Sequence, residues 1–196
     1  MIATSMAAAH ATAAAHRIPL WQSLRESEGL PAPKFLPLPE VQIFGGGAHA
    51  GSRVDIQDYM VIATGADSFA QALDWTARVY RAAAGLMADA GRLQGVADEG
   101  GLWPNFNGNE EALEMLVRAI EAAGLTPGQD MGGSLDIAAS QLGRKGEYRL
   151  ARDGRTLKSD NWAGVRAAWV DSEPRGASEE TCGGGEKARV GRVPWT

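Results

Sequence analysis

The chain has 196 residues, of which 44% are hydrophobic and 22% charged, and its net charge is −5. That composition describes one globular domain, or one and a half, and its negative balance argues against nucleic acid or an anionic membrane as the main partner. A single cysteine, Cys182, excludes an internal disulfide and a cysteine-based zinc site and fits a reducing, cytoplasmic setting.

Met1 to His16 is rich in alanine, which favours helix. It has neither the basic start nor the leucine-rich core of a signal peptide. Residues 1–30 therefore form a first structural segment, its helix ending in Ile18-Pro19-Leu20-Trp21. Pro31, Pro33, Pro37 and Pro39 mark an extended linker. Val41 to Phe44 reads as a strand stopped by Gly45-Gly46-Gly47. Asp55 to Ala63 reads as a second strand, apolar enough to be covered on both faces. Ser68-Phe69-Ala70-Gln71 is a capping-box pattern opening a helix to about Ala90, with Phe69, Leu73, Thr76, Tyr80, Ala83 and Met87 at helical spacing.

A further strand ends at Val96-Ala97. Asn109 is placed to cap a helix whose Glu110 and Glu111 favour the positive end of its dipole. Leu113, Leu116, Val117 and Ile120 are its apolar stripe, and Gly124 ends it. Gly133 to Ala139 is another short strand, and Tyr148 to Leu157 a surface hairpin turning at Asp153-Gly154. Strands alternating with helices predict a parallel α/β sheet. From Asp171 to Thr196 the apolar period disappears and glycine and mixed charge take over, the composition of a disordered tail.

The stretch Ala97-Asp98-Glu99-Gly100-Gly101 carries the sharpest chemical signal. It mounts two adjacent carboxylates at a glycine turn closed by Pro104. A carboxylate so placed suits a general acid or a metal ligand, and equally a solvated acidic loop. Four other segments stand beside it in a fixed order: Gly46-Gly47-Ala48-His49-Ala50, Val54 to Met60 with Gln57-Asp58, Asn109 to Glu114, and Leu135-Asp136-Ile137-Ala138-Ala139-Ser140. Together the five resemble the enolases, the phosphopyruvate hydratases of glycolysis, over roughly residues 3–162.

The resemblance implies part of a β/α barrel over residues 31–170, with chemistry at the C-terminal strand ends. It also implies a lyase that interconverts 2-phosphoglycerate with phosphoenolpyruvate and water. Glu99 would be the general acid that protonates the leaving hydroxyl, its pKa raised by partial burial and by neighbouring carboxylates such as Asp98. Asp136 would be one of three carboxylate ligands of a Mg²⁺ ion, which prefers hard oxygen donors. His49 would close over the substrate phosphate on a mobile loop, and Gln57 and Asp58 would line the substrate.

The chain also departs from the family pattern. Asp58 stands where a glutamate is usual and is one methylene shorter. Gln141 replaces a glutamate, which loses an acceptor charge and loosens its surroundings, and Gly45 and Gly51 differ near the histidine loop. Lys145, Lys158 and Lys187 match no motif for the proton-abstracting lysine. About half a barrel is recognisable, and the family's capping domain is not. The expectation is a fragment of an enolase gene, inactive alone, for which a reading frame lost after Trp169 is one origin; a genuine short paralogue is the alternative. Its expected partners are the small phosphorylated substrate, a second copy of the chain, or an intact enolase docked on the exposed sheet edge.

Overall fold

The computed structural model describes residues 1–172 and 177–179. It divides into two units, residues 1–37 and 38–196. In the first, α1 (Ile2–His16) ends where Arg17 takes a left-handed conformation, with φ 56°. A second helix, α2 (Leu20–Ser27), packs against it. The sequence reading missed α2 by taking Pro19 as a helix end. Proline has no N–H to contribute, so it serves at a helix start, and here it is the N-cap residue.

The second unit is built on strands β1 (Glu40–Gly45), β2 (Asp58–Ile62), β3 (Gly95–Val96), β4 (Leu102–Trp103), β5 (Gly132–Asp136) and β9 (Ala177–Glu179). They form one sheet in the order β3-β4-β1-β2-β5-β9. Two helices fill the long connections: α3 (Phe69–Asp89) and α4 (Asn109–Ala122). The short helix α5 (Ala139–Leu142) leads into a second sheet of β6 (Gly143–Arg144), β7 (Glu147–Leu150) and β8 (Arg155–Lys158), followed by α6 (Ser159–Ser172). The expected hairpin is β7–β8, with Gly154 at φ 66° in its turn.

The all-parallel expectation fails at β2, which runs antiparallel to both β1 and β5. β1 and β2 are joined by a loop closed on itself, residues 46–57, whereas parallel strands need a crossover connection, usually a helix. The β2–β5 pairing is in continuous register, the β1–β2 pairing shifts between Gln42 and Phe44, and Asp58 lies directly across from Asp136 on one side and Gly45 on the other.

Side chains alternate between the two faces of the sheet. Tyr59, Val61 and Leu135 share one face and join the apolar core with Val79, Ala83 and Met87 of α3 and Leu116 and Ile120 of α4. Asp58, Met60, Ser134 and Asp136 share the other face, which a barrel ringed by helices would turn inward. Thus β2 is largely covered on both sides, as its sequence suggests, and on the second side the acid Asp58 stands in line with Met60 and Ile62.

Ser68 caps α3 by accepting the Gln71 N–H at 3.2 Å, while Gln71 reaches back to the N–H of Asp67 at 2.6 Å. The buried stripe of α3 is Ala72, Thr76, Val79, Ala83 and Met87. Thr76, Ala83 and Met87 lie where the sequence pattern puts them, whereas Phe69 and Leu73 remain exposed and Tyr80 is half-buried. In α4 the N-cap position belongs to Gly108, and Asn109 is fully buried. The helix α6, which the sequence reading did not identify, places Trp162 against Tyr148 (centroids 4.7 Å, stacked) and against Trp169 (5.8 Å, edge-on). Of the expected tail, 171–172 end α6 and 177–179 form β9; the remainder lies outside the described residues.

Candidate functional site

The site lies where the end of β1, the start of β2 and the end of β5 meet. After β1 the chain folds back tightly: the Gly46 N–H reaches Gln57 O at 2.6 Å and the Gly47 N–H reaches Val54 O at 3.0 Å. A side chain on Gly46 would overlap the Ile56 carbonyl and the Val54 side chain, so only glycine lets the two strands of this loop approach. Residues 47–50 form a single 3-10 turn, and His49 rides on it.

Five residues expected from the sequence come together here. Asp58 is 5% exposed, at the first position of β2. Gln57 just before it donates to Asp58 Oδ2 at 3.1 Å and to Asp136 Oδ2 at 3.4 Å. Asp136 closes β5, and its Oδ1 accepts the Ala138 N–H at 2.9 Å, which fixes the carboxylate plane. Glu99 comes from the turn between β3 and β4, with its Oε1 at 3.9 Å from His49 Nε2. The other ring nitrogen, Nδ1, lies 3.6 Å from Asp98.

Partial burial pushes the Glu99 carboxyl above the ordinary glutamate range. The Asp58 charge adds to that rise and His49 opposes it, while a shared hydrogen bond with Asp58 and the Asp136 charge raise it further. Asp98 was expected to do this work. Instead its side chain is 81% exposed and turned to His49, and the acids raising Glu99 are Asp58 and Asp136. The reason is the hairpin. Residues 97–101 form a turn rather than a strand end, so the two adjacent carboxylates take different directions.

Two further residues belong to the arrangement. Gln42 of β1 donates to Asp58 and, at 3.3 Å, to Glu99 Oε2, and it accepts the Gly101 N–H at 2.7 Å. Nothing in its sequence neighbourhood marked it; its signal was a lone polar residue within the apolar run Val41 to Phe44. Gln141 does the opposite of what its sequence suggested. It donates to Gln57 Oε1 at 3.0 Å, a bond an ionised glutamate could not make, and so orients the Gln57 amide. The shorter Asp58 is held on both sides, by Gln42 and by Gln57.

Residues 33–169 match the family described as enolase, C-terminal TIM barrel domain. The chain is also 44% identical, over 177 residues, to a protein named Enolase 1 from Desulfitobacterium hafniense (strain Y51). This chain belongs to the enolase family. The alignment takes in 89% of this chain and 40% of that relative, so the chain spans well under half of the enolase it matches. Among the described residues the α/β sheet is open, a partial form of the barrel that the family's description names.

Mg²⁺ suits the oxygen chemistry of Asp136, whose carboxylate is oriented by one backbone N–H. Among the described residues, however, no three His, Cys, Asp or Glu side chains converge as a metal site. Asp136 therefore fits one ligand position, and the described residues do not furnish a full set. No described helix is long and apolar enough to cross a membrane.

Proposed function

We propose that this chain carries the acid side of an enolase active site, within phosphopyruvate hydratase chemistry that relates 2-phosphoglycerate to phosphoenolpyruvate and water in the cytoplasm. The observation that carries the reading is the convergence of Glu99, Asp58 and Asp136, with Gln57 between two of the acids and His49 across from Glu99. A glutamate whose pKa is raised holds a proton more readily than an ordinary one, which suits it to protonate a departing hydroxyl. His49, on a glycine-bounded turn, supplies a donor for a phosphate, and Gln57 with Asp58 orients the substrate. Asp136 would supply one oxygen ligand to a Mg²⁺ ion, which when bound would offset substrate charge.

Removing the proton beside the substrate carboxylate needs a base. Lys158 ends β8 and Lys145 lies between β6 and β7, both in the second sheet, whereas Glu99 lies on the turn between β3 and β4 of the first. The chain alone should therefore bind the phosphorylated ligand without turning it over. Phosphoenolpyruvate formation from 2-phosphoglycerate, with and without Mg²⁺, tests this beside a Glu99→Gln control. NMR of the folded chain with 2-phosphoglycerate should shift His49 and Gln57 resonances, and unmoved resonances would refute the site. Mg²⁺-dependent turnover that disappears in the control would show that another group supplies the base.

A second reading is favoured by the sheet, which among the described residues runs from β3 to β9 without closing. On this reading the chain is non-catalytic and docks on an intact enolase through a sheet edge. Concentration-dependent capture of purified intact enolase would support it, and its absence at high micromolar concentration would remove it.

A further inference from the structure

We propose that Gln42 is a positioning residue for the Asp58–Glu99 acid pair, a neutral splint whose amide ties both carboxylates to the backbone of the Gly100–Gly101 turn. This rests on reading Glu99 as the acid and goes further by naming what holds that acid in place. Three segments distant in sequence meet on one side chain. Gln42 Nε2 donates to Asp58 Oδ1 and to Glu99 Oε2, and Oε1 accepts the Gly101 N–H at 2.7 Å. A primary amide suits this place because it has two N–H donors, an acceptor on the other end, and no charge.

The fold makes room for that amide. A side chain on Gly101 would overlap the Gln42 carboxamide, and a Cβ on Gly45 would lie 3.3 Å from Nε2. Gly100 needs its glycine for a φ of 98°, whereas Gly101 is not among the positive-φ residues. The glycine at 101 thus answers to the space Gln42 fills. The β1–β2 register also shifts between Gln42 and Phe44. Such a bulge re-aims side chains: Gln42 shares a face with Met60 and Asp58, while Phe44 pairs with Tyr59 on the apolar side.

Glu99 needs such a hold. It sits on a turn with 47% of its side chain exposed. Facing it are Asp58 of β2, Asp136 of β5 and His49 of the 46–57 loop, with Asp98 beyond the imidazole. Two acids repel, and a half-exposed one is free to turn toward water unless something fastens it. The 3.3 Å bond from Gln42 is too long to stabilise the Glu99 charge much directly. Its main effect is to keep Glu99 beside Asp58.

The test is Gln42→Met in the full 196-residue chain, which keeps the length and removes all three hydrogen bonds. Carboxyl-carbon NMR follows the Glu99 titration, with Glu99→Gln to assign the signal, and hydrogen exchange follows the Gly101 amide. In Gln42→Met, Glu99 should titrate lower, nearer an ordinary glutamate, and the Gly101 amide should exchange about tenfold faster. A native Glu99 that titrates at an ordinary value refutes the acid reading itself. A raised native value that Gln42→Met leaves unmoved, or raises further, overturns the role of Gln42. Should the variant not fold, the side-chain NH₂ resonances of Gln42 in the native chain decide: they should follow the Glu99 midpoint, and pH-independent resonances overturn the inference.

Discussion

Asn109 is the residue whose loss should cost this fold most. It is fully buried, and its Oδ1 accepts the N–H of Asp55 at 2.8 Å, the N–H of Ile56 at 3.3 Å and the hydroxyl of Tyr59 at 3.1 Å. Its Nδ2 donates to Asp55 and Asp153, each at 3.1 Å. Asn109→Ala removes the acceptor from two buried backbone donors at about 1–3 kcal/mol each and breaks two bonds to carboxylates. The sum, allowing for partial relaxation, is about 3–5 kcal/mol. For a chain of this size that is a fall in melting temperature of about 10 °C or more. Urea unfolding followed by tryptophan fluorescence measures it, and a loss under about 1 kcal/mol would refute the reasoning. Asn109→Asp sharpens the test. It keeps Oδ1 but turns an oxygen toward Asp55 and toward Asp153, whose own carboxyl burial already holds above the usual range. The new carboxyl should resist ionising, so this variant should be near-native in acid and lose stability as the pH rises.

Three further outcomes follow from the geometry. Burial opposes ionisation of Glu111, but the Asn107 N–H, Arg92 and the Asn107 side chain outweigh it and hold the carboxyl below the usual range. A depressed pKa stabilises above the ordinary glutamate value and fades as pH falls through the folded one. Glu111→Gln should therefore cost about 1 kcal/mol at pH 7 and progressively less in acid, read from urea midpoints across pH. Glu99 has the opposite sign: its raised pKa makes the ionised form a burden on the fold. Glu99→Gln should unfold at higher urea than the native chain at pH 7, with the gap closing below the ordinary glutamate range; a gap that widens in acid would contradict the shift. Gly46→Ala must push the Ile56 carbonyl aside, costing roughly 2–3 kcal/mol and moving the His49 ring resonances, and unchanged stability would mean the loop is not closed as described.

Helices with strong periodic faces were legible in the sequence, and so were turns that depend on glycine chemistry. The capping box at Ser68 marked the start of α3, and Gly124, at φ 74°, stands just beyond α4. The face of α3 was legible at Thr76, Ala83 and Met87 but not in its first turns, where Phe69 and Leu73 are apolar yet exposed, because hydrophobicity alone cannot tell which apolar residues the core will accept. Asn109 looks like a cap because asparagine favours that position, but a tertiary demand from Asp55 and Ile56 won the side chain. The strand ending at Val96 was expected, but β4, two residues long, is too short to carry any period. Gln42 was invisible for a related reason: its meaning lies in contacts with residues 16 and 57 positions away.

The reversed direction of β2 is what joins these pieces into one site. In a parallel barrel, catalytic groups gather at the last residues of each strand. A strand running the other way brings its first residues to that end. Asp58 opens β2 with Gln57 just before it, so Asp58 stands beside Gly45 at the end of β1 and Asp136 at the end of β5. Had β2 run parallel, Ile62 would occupy the place of Asp58, and an apolar side chain would separate Gln42 from Asp136. The closed loop 46–57 that enforces the reversal also carries His49, so one connection sets strand direction and delivers the imidazole to Glu99. Packing that loop through Gly46 therefore acts on the chemistry and the fold together.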